Sequence, residues 1–268
     1  MSNHPLLPNF IIIGAAKAGT TSLAYSLSRH QDIFITSPKE PKFFGENRKN
    51  GLSWYISLFE NAGERPLRGE ASTMYSSLTK RYKNTPKDIS SLCPNAKIIY
   101  IMRNPYERAI SHWRHIKGKN QNVPSFSAIL RKAEIYFHPD TCYNSPESAI
   151  ANTVIGSSCY ATILERYLKY FDYSNIHCVA FEELINSPNI VLRQILNFLG
   201  ADFQGVNSML DGNKFPLRND AGKQGRELVA KPILTQSDNS ILIKLLHTQA
   251  AQALMVLGKT IDFWPQPR

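Results

Sequence analysis

Phe10 and three consecutive isoleucines form an apolar run that ends at Gly14, and the residues behind it, Ala15 to Ser22 (AAKAGTTS), are small, glycine-punctuated and rich in hydroxyls. No other stretch constrains the fold as tightly. Such a run is a buried strand. Leu23, Tyr25 and Leu27 then recur at roughly helical spacing over Thr21 to His30, so the chain passes from strand to helix through one tight turn. Gly14 and Gly19 bracket that turn with the spacing of a phosphate-binding loop, whose backbone amides and following helix terminus offer N–H groups and partial positive charge to an anion. In the form that binds nucleoside triphosphates, lysine follows the second glycine directly and the next hydroxyl holds magnesium. Here Thr20 takes that place and the lysine, Lys17, precedes Gly19 by two residues. The loop is therefore read as a phosphate cradle with no metal required. A ligand-free glycine-rich turn is the plain alternative, but it leaves Lys17 and the hydroxyls of Thr20, Thr21 and Ser22 without a structural reason.

A second corner of the same kind follows Ala96 to Met102 (AKIIYIM), a nearly continuous apolar run of the type found where helices cover both faces of a parallel sheet. Asn104 can cap, and Pro105 can open, a helix over Tyr106 to Lys117. Short strands are expected at Ile33 to Thr36 and Leu67 to Ala71, and another at Asn175 to Phe181. Helices are expected over Ser158 to Phe171 and from about Pro188 to Leu199. Alternating strands and helices without a linker or repeat predict one α/β domain over residues 1–268, with a central, mainly parallel sheet flanked by helices. Chemistry in such sheets gathers beyond the C-terminal strand ends, here past Ile13 and Met102. Arg103 leaves the second of these ends and Ser111 lies two helical turns on, a pair suited to forked, charge-assisted anion binding. A salt-bridged Arg103 and a merely small Ser111 would serve equally well as structure.

Composition bounds the partners. Of 268 residues, 43% are hydrophobic and 19% charged, which excludes a disordered, coiled-coil or collagen-like chain. The net charge of +10 calls for an anionic partner of some kind. The N-terminus lacks a basic n-region and reads as a chain start, not a signal peptide, and no run approaches the roughly 18 apolar residues of a membrane span. Ile241 to Leu257, broken by Lys244, His247, Thr248, Gln249 and Gln252, reads as an amphipathic packing helix. A cytoplasmic location is the resulting expectation. The four cysteines, Cys93, Cys142, Cys159 and Cys178, form no CxxC pair and no zinc pattern, so buried thiols are expected. In an exported chain Cys142 and Cys159 would be free to pair.

Taken together, the two corners resemble the sulfotransferases that use 3′-phosphoadenosine 5′-phosphosulfate (PAPS). FIIIGAAKAGTTSL is similar to their 5′-phosphosulfate loop and YIMRNPYERAISHW to their 3′-phosphate segment; a donor with phosphates at two separated positions needs two anion sites. The resemblance implies a P-loop-like phosphosulfate-binding loop in which Ala16, Lys17, Ala18, Gly19, Thr20, Thr21 and Ser22 hold the 5′ end, while Arg103 and Ser111 hold the 3′-phosphate. It implies PAPS as donor, adenosine 3′,5′-bisphosphate as product and no metal. Ser157-Ser158-Cys159-Tyr160, with Leu164, Tyr167, Leu168 and Phe171 behind it, resembles a helix of the carbohydrate-type members that brings Tyr160 near the nucleotide. Gly222 to Arg226 resembles their late basic loop, which implies Lys223, Gly225 and Arg226 over the 3′-phosphate, although a solvated basic loop would look the same.

Sulfuryl transfer needs acceptor deprotonation, charge neutralisation on the departing phosphate and in-line placement. Lys17 suits the second need. For the first, Glu40 in Ser37-Pro38-Lys39-Glu40-Pro41-Lys42-Phe43-Phe44 matches the catalytic glutamate of the carbohydrate members' Glu-x-x-Phe-Phe motif; without the Phe43-Phe44 anchor this would be an ordinary solvated loop. A histidine base, as in the cytosolic aryl and steroid members, is the competitor, but His30, His112 and His115 read as helix-surface or core residues. Departures fall on the acceptor side. Ala71 stands where carbohydrate members carry lysine after Glu70, and Lys42 replaces a histidine before the Phe pair, so the acceptor site is not that of a heparan-modifying enzyme. Lys42, Phe43 and Glu70 are candidate substrate contacts, Glu70 with a structural role as the equal alternative. The expected partner is a saccharide, lipid or small-molecule acceptor with a hydroxyl or amine, and no nucleic acid; oligomeric state is not encoded in any motif. Two other classes remain open: a P-loop-type small-molecule kinase, which the absence of lysine after Gly19 opposes, and a non-catalytic anion- or nucleic-acid-binding module, which would favour a basic stripe interleaved with aromatics where the chain instead disperses its charge.

Overall fold

The computed structural model describes residues 4–137, 146–218 and 229–267. Five strands, β1 (Phe10–Gly14), β2 (Ile33–Ile35), β3 (Leu67–Glu70), β4 (Lys97–Met102) and β5 (Ile176–Ala180), form one sheet in the order β2-β3-β1-β4-β5. Every pairing is parallel, with Phe10 opposite Gly69 on one side and Lys97 on the other. Parallel neighbours require crossovers, and helices supply them. In chain order these are α1 (Thr20–Ser28), α2 (Gly51–Ser57), α3 (Thr85–Leu92), α4 (Pro105–Lys117), α5 (Phe126–Tyr136), α6 (Pro146–Val154) and α7 (Tyr160–Leu168), with α8 (Phe181–Asn186), α9 (Pro188–Leu199) and α10 (Gln236–Leu257) after β5. From β1 the chain moves outward to β2, returns through β3 and then crosses to β4 on the other side of β1. That reversal opens a crevice beyond the C-terminal end of β1, where an α/β sheet takes its ligand.

The sheet is centred on its most apolar strands. Phe10 to Ile13 and Ile98 to Met102 are fully buried, and each large side chain so placed contributes about 1.5–3 kcal/mol by leaving water. The expected elements fall within a few residues of those observed. Asn104 caps α4 through its side chain, which accepts from the amides of Tyr106 and Glu107, and Pro105 opens the helix. The strand expected to reach Phe181 stops at Ala180, because Phe181 already begins α8. α10 begins four residues after Pro232 and is fixed by a reciprocal capping box between Thr235 and Asp238. By length and composition α10 is apolar enough to cross a membrane. In the fold, Ile241, Leu242, Leu246, Ala250, Ala253 and Leu254 are buried in the core, and Gln249 exchanges hydrogen bonds with Thr162 of α7. Cys93 and Cys178 are free thiols and Cys159 is buried; Cys142 lies outside the described residues, and with it the Cys142–Cys159 pairing.

Candidate active site

The loop between β1 and α1 adopts a conformation that few residue types tolerate. Lys17 and Gly19 both have left-handed backbone, at φ 72° and 87°. For a non-glycine residue this is an uncommon, strained region that structures retain mainly at functional sites. At Gly19 a side chain is excluded twice, by that φ and by the Phe181 ring, which lies 2.9 Å from where a Cβ would sit. Gly19 is also the N-cap of α1. It provides no capping side chain, and the first turn holds no acidic residue. No capping side chain from Gly19 and no first-turn carboxylate thus competes with an anion at this terminus, where the helix dipole adds partial positive charge.

The loop's carbonyls, by contrast, are tied down. Arg108 Nη1 donates to Ala16 O at 3.3 Å and Arg103 Nη1 to Lys17 O at 3.2 Å, so the two strand-end corners are joined directly. A peptide's carbonyl and N–H point in opposite directions. Holding the Ala16 carbonyl against α4 therefore turns the Lys17 amide away from it. Ser22 is buried and its hydroxyl accepts from the amide of Arg218, which anchors the chain just before the late basic segment. Lys223, Gly225 and Arg226 lie outside the described residues.

Arg103 is half-buried, with its guanidinium 5.1 Å from the Phe181 ring centroid. Ser111, half-buried as well, stands on α4. Because Asn104 already occupies the first amides of α4, an anion at this corner depends on the Arg103 and Ser111 side chains. Tyr160, expected beside the nucleotide, is instead fully buried: its hydroxyl donates to Arg103 O at 2.7 Å and accepts from Arg103 N at 3.2 Å. It holds the backbone from which Arg103 projects.

Arg108 was not singled out from sequence, yet it is a fully buried arginine at the junction of these parts. Besides Ala16 O it donates to Ser158 Oγ at 2.5 Å and to Val154 O, and lies 3.1 Å from His112 Nδ1. Burial lowers its proton affinity, but carbonyls and a hydroxyl satisfy its donors. The signal was present in the helix pattern: Arg108 shares the buried face of α4 with Pro105, Ala109 and His112, where a charge is out of place unless it has a task. His112 is buried beside it and its pKa is driven well below the usual histidine value by burial and by the Arg108 charge. With His30 also buried in the core, neither is placed as a base.

On the other side of the crevice, Glu40 follows β2. Its carboxylate lies 3.2 Å from Lys39 Nζ and accepts from Thr73 Oγ1 at 3.3 Å, and about a third of the side chain is exposed. The loop that carries it is locked by the two phenylalanines. Phe43 stacks on Tyr55 with centroids 4.3 Å apart, and Phe44 meets Tyr55 and Tyr75 edge-on. Phe43, expected to touch the acceptor, is therefore a core residue, since its face is already covered. Lys42 is directed to Glu46, 3.2 Å away.

Glu70 departs further from expectation as a substrate contact. It is fully buried and accepts from Tyr55 and Tyr75 hydroxyls at 2.7 and 2.9 Å and from Ser72 Oγ at 2.5 Å. Burial raises its pKa from 4.5 to about 7, outweighing those donors. The same hydroxyls reach on to the Glu40 loop: Ser72 Oγ accepts from Lys42 N and the Tyr75 hydroxyl from Phe44 N. Glu70 thus fixes the backbone that carries Glu40. Among the described residues no group of three or more His, Cys, Asp or Glu side chains is placed to hold a metal ion.

Residues 7–214 match the sulfotransferase domain model, which covers most of the chain. The chain belongs to the sulfotransferase family. Mouse heparan sulfate glucosamine 3-O-sulfotransferase 3B1 is 29% identical over 194 residues, covering 72% of this chain and 46% of that protein. The chain spans about half the length of such curated relatives. A sulfotransferase from Alicyclobacillus acidocaldarius shares the fold with a TM-score of 0.68 and 25% identity, over 96% of this chain and 98% of that one. A mouse sulfotransferase crystallised with PAP superimposes with a TM-score of 0.54 at 20% identity, over 92% and 84% of the two chains, which is a likeness of fold. PAPS is the sulfuryl donor used across this family.

Proposed function

We propose that this chain is a PAPS-dependent sulfotransferase that places a sulfuryl group on a hydroxyl or amine, with a saccharide as the acceptor class that its relatives favour. The observation that carries the reading is the pair of anion subsites at adjoining strand ends, one an uncapped helix terminus and the other a guanidinium, joined by the bond from Arg103 to the Lys17 carbonyl. The donor carries phosphates at two separated positions, and the residues fit it. The amides at Lys17, Gly19, Thr20 and Thr21 receive the 5′ end; Arg103 and Ser111 receive the 3′-phosphate, with Lys223, Gly225 and Arg226 as the closing loop.

When bound, PAPS supplies the sulfuryl group and a phosphate as leaving group. The protein's part is positioning and charge. Lys17, on its left-handed backbone in the loop, neutralises charge that develops on the 5′-phosphate. Glu40, at the partly exposed end of the β2 loop, takes the proton from the acceptor. A kinase or a nucleic-acid module is not favoured by the family match.

Incubation with 35S-labelled PAPS and a panel of saccharide, aryl and alkyl acceptors tests this. Label should move to at least one acceptor class. Lys17→Ala should cut turnover by roughly 10²–10³-fold, with a smaller loss in donor affinity. Label transfer that survives Lys17→Ala undiminished would remove the role given to that lysine.

A further inference from the structure

The lysine next to Glu40 occupies a position that neither role above uses. Lys39 Nζ donates to Thr20 Oγ1 at 3.3 Å and Thr21 Oγ1 at 3.2 Å, the hydroxyls of the first turn of α1, and also lies 3.2 Å from Glu40 Oε1. A single ammonium therefore touches the 5′ anion subsite and the carboxylate of the acceptor side at once. Its backbone is fixed as well, because Lys39 O accepts from the Ala71 amide at the end of β3. The adjoining strand end, Gly69-Glu70-Ala71, offers no cation of its own.

We infer that Lys39 is a second cation of the 5′ anion subsite, which exchanges its contact with Glu40 for one with the 5′ anion and so leaves the Glu40 carboxylate open to the acceptor proton. The inference rests on the sulfotransferase reading and extends it from Lys17 to a residue on a different strand end. Three features support it. The side chain is only 21% exposed, and an ammonium this far out of water gains from a further anionic partner. Its alignment is set by paired hydroxyls at a helix terminus that is otherwise uncapped, which is where an anion would accept a charge-assisted bond. Finally, burial lowers its proton affinity despite the nearby Glu40 and Glu70 carboxylates, so an anion on the loop would restore what burial removes.

The probes are adenosine 3′,5′-bisphosphate and adenosine 3′-phosphate, titrated calorimetrically into the wild-type chain and into Lys39→Met, Lys39→Gln and Lys39→Arg. The ratio of their affinities isolates the 5′-phosphate. In wild type the bisphosphate should bind more tightly by a factor of 100 or more. Lys39→Met and Lys39→Gln should reduce that ratio by about tenfold, as expected for one charge-assisted bond, with 3′-phosphate affinity unchanged; Lys39→Arg should keep most of it. Glutamine keeps a polar N–H donor, one bond shorter than the lysine, without the charge, so it decides the matter if the methionine variant folds poorly. A ratio unchanged in Lys39→Gln, or an equal loss for both probes, overturns the inference and leaves the enzyme reading standing. Failure of the wild-type chain to bind the bisphosphate would overturn the reading itself.

Discussion

Glu40 lies in the loop after β2 and Glu70 closes the neighbouring strand β3, and the fold gives them opposite environments. Glu40 is about a third exposed, paired with Lys39 and touched by one threonine hydroxyl. Glu70 is sealed in the core beneath three hydroxyl donors, two of which also hold the amides of Lys42 and Phe44. One carboxylate can meet an acceptor. The other fixes the loop that presents it. Both are glutamates on the same side of the sheet, so the division of labour comes from burial and partners.

The strongest way to break this comparison is Glu40→Gln. If Glu40 is the proton acceptor proposed above, sulfuryl transfer should drop by roughly 10²–10⁴-fold while the affinity for adenosine 3′,5′-bisphosphate does not fall below the wild-type value. Activity within a few-fold of wild type would move the base elsewhere.

Glu70→Gln sharpens the other half. Because the folded-state pKa is raised to about 7 from 4.5, the stabilising contribution of this group is fully present below pH 4.5 and is lost as pH rises through 7. Denaturant unfolding of wild type should therefore weaken over that interval by on the order of 3 kcal/mol, on top of whatever the other groups do. The glutamine variant should lack that component. An identical pH profile in the two proteins would mean that Glu70 does not titrate in this range.

The smallest effect is expected from Ser72→Ala, which cuts the link from Glu70 to the Lys42 amide. It should cost about 1 kcal/mol of stability by leaving a partly buried amide without its partner, and it should lower kcat with little change in donor affinity, because the Glu40 loop is loosened and the donor loop is not. Donor affinity and kcat falling together would tie Ser72 to the donor side.

The donor side was legible in the sequence because its signals are local. A run of isoleucines, two glycines at fixed spacing and an Asn-Pro helix start are set by neighbours a few residues away, and β1, β4, α1 and α4 form where those signals place them. The acceptor side depends on contacts across the chain. Phe43 reads in sequence as a candidate substrate contact, but Tyr55 covers its face. Tyr160 looked like a nucleotide contact, whereas residues separated by 57 positions bring its hydroxyl to the Arg103 backbone. Lys39 carries no signal of its own in the sequence, since nothing local reports that Thr20 and Thr21 lie against it. The same holds for α2, α3, α5 and α6, short helices whose apolar faces are defined by what packs on them.

Titration calorimetry with adenosine 3′,5′-bisphosphate on the wild-type chain, Arg103→Ala and Glu40→Gln tests the central claim most directly, that two strand-end subsites bind the donor and that Glu40 is not one of its ligands. The account predicts binding at micromolar strength or tighter in wild type, a loss of about tenfold or more in Arg103→Ala and no loss in Glu40→Gln, whose carboxylate holds Lys39 only until the 5′ anion arrives. Absence of binding, or binding that Arg103→Ala leaves intact, would contradict it.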